Sequence, residues 1–155
     1  MNFETIDNVL SKRLTIWYTA GDMLADRPLT GVGAGAFAQA YDTYSTRAGD
    51  IYRGGGVYHA HQLYVGMAAE TGLPGLVGLL LAVFLSVKWY FTAPPARRNG
   101  AWPWGLGFAV YAFPVNSQPP LFNQWLFPVI LLLLTGMLAA LDETPAASAP
   151  QPSRV

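Results

Sequence analysis

The sequence contains no cysteine, which removes disulfide frameworks, thiol nucleophiles and cysteine-ligated metals from consideration. Charge is scarce: 12% of residues are charged, against roughly 25% in an average soluble domain. Lysine and arginine balance the acids to a net charge of zero, so no basic field points to nucleic acid. Histidine occurs only twice. The hydrophobic share is 52%, and the mean hydropathy is +0.28. These values argue against a disordered chain and against an ordinary soluble domain. At 155 residues the chain is one domain at most.

Apolarity is concentrated in the second half. Residues 73–91 read LPGLVGLLLAVFLSVKWYF, with one charge, Lys88, near the end. Residues 121–141 read LFNQWLFPVILLLLTGMLAAL, with no charge. Each is long enough to span a hydrocarbon core of roughly 30 Å as a helix. Between them, residues 101–115 are uncharged but short and carry Pro103 and Pro114. That stretch reads as a third crossing, with a re-entrant hairpin as the alternative. Trp89, Tyr90, Trp102, Trp104 and Trp125 lie near segment ends, where interfacial aromatics belong. The expected fold class is therefore all-α and membrane-integral, with about three transmembrane helices over 73–92, 101–116 and 121–141. Lys88, Arg97 and Arg98 flank the first connection, and the second (116–120) is uncharged. Positive-inside bias then puts the arginines in the cytoplasm and residues 1–72 on the opposite, outer side. The tail, 142–155, is rich in Pro, Ala and Ser and reads as a disordered cytoplasmic segment. A channel or transporter is disfavoured, because Lys88 is the only charge within these crossings.

Residues 1–72 have no apolar run long enough to span and no signal-peptide pattern. Their export calls for upstream helices or for a first crossing helix that translocates the N-terminus unaided; the simpler expectation is that the chain is the C-terminal part of a longer membrane protein. Residues 10–25 carry helical spacing, with Leu14, Trp17, Tyr18, Gly21 and Leu24 on one face, Ser11 as a cap and Arg27-Pro28 as the stop. Arg13 lies one turn before Trp17 on that face, either as a functional cation or as a snorkelling surface charge. The stretch PLTGVGAGAF (28–37) reads as a flexible turn; glycine loops can cradle phosphate, but no strand precedes this one. Residues 41–58 read as a mobile loop in which Arg47 and Arg53 either hold an anion or are simply solvated. Residues 60–71 are helix-compatible, with Gly72 as the stop and Pro74 just after it. His59 and His61 could bind zinc only with a third ligand such as Glu70 or Asp50. A histidine beside arginines suits acid–base work better, given its reference pKa of about 6.5.

Four blocks taken together carry a resemblance. They are Arg13-x-x-x-Trp17, the run from Asp26-Arg27-Pro28-Leu29-Thr30-Gly31-Val32-Gly33 to Phe37, His59-Ala60-His61-Gln62-Leu63-Tyr64, and Ala69-Glu70-Thr71-Gly72-Leu73-Pro74-Gly75-Leu76. In this order and spacing the chain resembles, over residues 10–140, the C-terminal half of the O-antigen ligase/polymerase superfamily. The most specific element is a His followed by Asn, Ser or Gln, nine residues, and Gly, matched here by His61-Gln62 and Gly72.

The resemblance implies a multi-pass enzyme of the bacterial inner membrane with its functional loop on the periplasmic side. Such an enzyme moves a glycan from an undecaprenyl-diphosphate carrier to lipid A–core (ligase) or to another repeat unit (polymerase), without cofactor, metal or nucleotide sugar. It implies His61 and Arg13 as the catalytic pair, with a further family arginine upstream of the matched region. Arginine suits a diphosphate through forked, charge-assisted hydrogen bonds, and histidine suits deprotonation or orientation of an acceptor hydroxyl. Arg47, Arg53, His59 and Gln62 are the expected substrate-binding residues, with His59 supporting His61. The displacement is expected to invert the anomeric centre. The competing reading is a non-catalytic membrane fragment that requires missing upstream helices.

Overall fold

A computed structural model describes residues 3–47, 49–57, 59–113 and 125–142. Among these, every regular element is a helix: α1 (Phe3–Val9), α2 (Arg13–Asp26), α3 (Phe37–Tyr44), α4 (Leu63–Thr92), α5 (Pro95–Ala112) and α6 (Phe127–Asp142). The uncharged connection 116–120, the ends of the second and third expected crossings and the tail beyond Asp142 lie outside the described residues.

The first half builds a small polar-capped core. Ile16, Ala20 and Met23 of α2 pack with Phe37 and Tyr41 of α3, Ala69 of α4, and Val57 and Ala60 of the intervening segment. The buried face of α2 thus runs through Thr15, Ile16, Thr19, Ala20 and Met23. This corrects the face expected from Leu14, Tyr18, Gly21 and Leu24. The threonines are interior because their hydroxyls are satisfied: Thr19 donates to the Thr15 carbonyl at 3.2 Å, and Thr15 donates to Asp7 at 2.6 Å. Asp7 also accepts the Thr15 amide at 3.2 Å, capping α2 from α1 in the way an N-cap side chain does. Ser11 is not the cap; it and Lys12 adopt left-handed φ values of 54° and 62° at the turn between α1 and α2. Arg27 ends α2, as its following proline requires.

Nor is the glycine-rich stretch a flexible turn. It is a strap seated on the end of the first segment of α4. That segment breaks at Gly72 (φ 71°, ψ −169°), and a second helical run continues from there to Thr92. Val32 and Gly33 donate to the carbonyls of Ala69 and Glu70, both at 2.9 Å, and Leu73 donates to Pro28 at 2.7 Å. The otherwise orphaned helix-end carbonyls are thereby satisfied. The contact has no room for side chains: a Cβ on Gly72 would sit 2.6 Å from the Pro28 oxygen, and one on Gly31 2.3 Å from the Glu70 carbonyl carbon. The expected mobile loop is likewise partly built in. Its first residues belong to α3, and Tyr41, Ser45 and Val57 are buried.

The second half is apolar and open. α4 is long and apolar enough to cross a membrane, and only 22% of its apolar stretch is buried, unlike a soluble core helix. α6 is apolar but, at 16 residues, shorter. The middle helix departs from the expected 101–116. It begins at Pro95, continues through Pro103 and ends at Ala112, so that Arg97 and Arg98 lie in its first turns. α5 and α6 pack closely where Gly136 faces the Trp104 ring, a small-against-large contact familiar between membrane helices. Arg97 donates to the Leu141 carbonyl at 3.3 Å, bringing the start of α5 to the end of α6.

Candidate functional site

The first turns of α2 are where the segments carrying the expected site residues meet. Arg13 opens the helix and is half-buried. One turn on, the Trp17 indole donates to the Ala60 carbonyl at 2.9 Å, fastening this helix to the His59–His61 segment. On another side of α2 the Arg47 guanidinium lies 4.0 Å above the Tyr18 ring, a cation–π arrangement. Just ahead of α2, the Ser11 carbonyl accepts from the Tyr52 hydroxyl at 3.3 Å, which ties down the turn containing Arg53. Arg47, the Arg53 turn and the histidine segment, all far along the chain from Arg13, are therefore anchored around the start of one helix.

His61 takes a left-handed φ of 52°, a conformation that costs a non-glycine residue energy and persists only when its surroundings impose it. Its ring lies 4.2 Å from that of His59, centroid to centroid, at 52°. Directly after it, Gln62 is the N-cap of α4 and its side chain accepts the Val65 amide. The Gln62 carbonyl group of the side chain is thus committed to the helix end, and with it the direction in which His61 leaves the helix. Arg53 is exposed among turns 51–56, where the next amide, Gly54, donates to Asp42 at 2.9 Å.

Sequence reasoning missed three residues. Glu70, weighed only as a zinc ligand, is 5% exposed. Its carboxylate accepts from the Gly35 amide at 2.7 Å and the Phe37 amide at 3.3 Å, clamping the strap and the start of α3. Asp50, the other possible third ligand, accepts from the Tyr41 hydroxyl at 2.8 Å and the Tyr52 amide at 2.9 Å, and from Ser45. Burial, and then that bond to Asp50, push the Tyr41 phenol far above its ordinary pKa, so it remains a neutral donor. Tyr64, the second residue of α4, donates to the Ala112 carbonyl at 2.6 Å. It stands at the head of an apolar groove of about 480 Å³ bounded by Val83, Val87, Phe108 and Met137. The signals for Glu70 and Tyr64 were there in outline, as a lone acid in an apolar helix and a tyrosine one turn after a histidine.

Residues 5–80 match the family described as O-Antigen ligase. No curated protein and no solved structure matches the chain.

Proposed function

Because the chain belongs to the O-antigen ligase family, we propose that it carries the donor–acceptor chemistry of a membrane glycosyltransferase of the ligase type. The family is one of glycosyltransferase-like membrane enzymes that act on lipid-linked glycans in lipopolysaccharide assembly. In this reading the donor is a glycan on undecaprenyl diphosphate and the acceptor is a hydroxyl of lipid A–core. Residues 1–72 face the periplasm at the inner membrane, and Arg97 and Arg98 face the cytoplasm.

The reaction needs no activated cofactor. The acceptor oxygen bonds to the anomeric carbon and its proton passes to the His61 imidazole. The bond from that carbon to the diphosphate oxygen breaks, and its electron pair leaves with the diphosphate. Attack opposite the leaving group inverts the anomeric centre. Arg13 takes the growing negative charge through forked hydrogen bonds, while Arg47 and Arg53 supply further polar contacts from the flanking turns. His59 holds the His61 ring, and Gln62 fixes the helix end from which His61 projects. The groove headed by Tyr64 gives the polyprenyl chain an apolar path beside the reacting atoms.

The observation that carries this reading is the Trp17–Ala60 hydrogen bond. It holds the helix that begins with Arg13 against the strained histidine segment. The test is His61→Ala in the complete protein, expressed in cells deleted for the gene, with surface polysaccharide resolved on gels. Glycan transfer should disappear while the protein still inserts in the membrane; retained transfer would remove His61 from the mechanism. In the deletion strain itself, loss of all capped lipopolysaccharide marks a ligase, whereas a product with a single repeat marks a polymerase.

A further inference from the structure

A second cavity adjoins the end of α2, distinct from the apolar groove. It holds about 370 Å³ and is lined by Glu4, Asp7, Lys12, Thr15, Arg47 and Asp50. That volume is at the small end of the roughly 300–1,000 Å³ usual for small-molecule sites. Its chemistry is mixed: Glu4, Asp7 and Asp50 accept hydrogen bonds, Lys12 and Arg47 donate them, and the Thr15 hydroxyl, whose hydrogen goes to Asp7, can only accept. An anion entering it would meet three carboxylates, and a cation would meet a lysine and an arginine. A neutral polyol, which donates and accepts at every hydroxyl, matches the lining on both counts.

The position of the cavity narrows the choice. Lys12 precedes Arg13 directly, and Thr15 lies in the same first turn of α2. In a glycan linked to a lipid diphosphate, the first sugar is bonded directly to the phosphate. Any pocket for that sugar must therefore abut the group that holds the diphosphate. We propose that this cavity is the subsite for the uncharged sugar ring nearest the diphosphate, with Arg47 and Glu4 as hydroxyl partners, Arg47 then contacting glycan rather than phosphate. This assignment rests on the lipid-linked-glycan reading above.

The test compares two lipids with the complete protein in nanodiscs. One is bare undecaprenyl diphosphate; the other is the glycan-bearing carrier extracted from the deletion strain, where it accumulates. Glu4→Ala should weaken binding of the glycan-bearing lipid about tenfold, the loss expected for one charge-assisted hydrogen bond. Binding of the bare lipid should stay unchanged, which also shows the variant folded. Arg13→Ala should weaken both. If Glu4→Ala binds both lipids as the unaltered protein does, or loses both equally, the subsite is overturned. If the unaltered protein binds neither lipid, the lipid-linked-glycan reading fails, and this assignment with it.

Discussion

At the scale of single residues, the first half of the chain is organised by buried carboxylates that cap helices belonging to other segments. Glu70 is the clearest case. Both of its oxygens accept backbone amides at the start of α3, and the strap lies over it. Removing the carboxylate leaves those amides without acceptors inside the protein. Glu70→Ala should therefore cost about 3 kcal/mol, the scale for hydrogen bonds to a charged group plus an unsatisfied donor, read as a lower midpoint of thermal unfolding in detergent. Glu70→Gln keeps one acceptor oxygen and should lose clearly less. Gly72→Ala should be worse tolerated than a typical helix substitution. It adds strain at φ 71° and drives a methyl to 2.6 Å from the Pro28 oxygen, so destabilisation of several kcal/mol is expected, with low recovery of folded protein. The sequence gives the glycine positions freely but not their partners. Nothing local tells Gly31 that its neighbour is the end of a helix about forty residues away.

At the scale of elements, helix ends were more legible than helix faces. The stop at Arg27-Pro28 and the break at Gly72 were both readable, because proline and left-handed glycine act through local sterics. The His-Gln and Gly of the most specific family element turn out to mark the two ends of the first segment of α4. Gln62 caps its start and Gly72 closes it. This gives a physical reason for Asn, Ser or Gln after the histidine, since a polar side chain with an acceptor oxygen at that place can take a first-turn amide, as Gln62 does. Gln62→Ala should cost about 1 kcal/mol of stability, and Gln62→Asn should restore it; a Gln62→Asn variant as unstable as Gln62→Ala would assign the side chain a role other than capping. The face of α2 was misread for a reason of the same kind. Apolar letters occur around most of that helix, so periodicity alone did not choose a stripe. The choice fell to Thr15 and Thr19, which are interior because Asp7 and a helix carbonyl satisfy them. Long-range satisfaction of a hydroxyl leaves no trace in a hydropathy pattern.

At the scale of the whole molecule, the two halves answer to different solvents. The N-terminal half buries its aromatic and aliphatic side chains around Ile16, Met23, Phe37 and Tyr41. The C-terminal half turns them outward: Phe84 is 61% exposed, Phe91 67%, Val110 60% and Leu132 59%. So much uncovered apolar surface fits lipid or further helices, not water. The absence of cysteine from these residues helps to test the proposed topology: a single introduced thiol is the only one among them, and label on the unaltered complete protein is the blank. Arg53 and Asn99 are both exposed, one in the turn ahead of the histidine segment and the other in the first turns of α5 beside the two arginines. In spheroplasts carrying the complete protein, a membrane-impermeant maleimide should label Arg53→Cys at once and Asn99→Cys only after lysis. That outcome follows if the strongly apolar run of α4 crosses the bilayer between them, with Lys88, Arg97 and Arg98 retained inside by the positive-inside bias. Equal labelling of both thiols before lysis would put the two positions on one face. The second run of α4 would then have to lie along the membrane or within a helical assembly, and His61 would lose its place at the outer surface where the carrier presents its glycan.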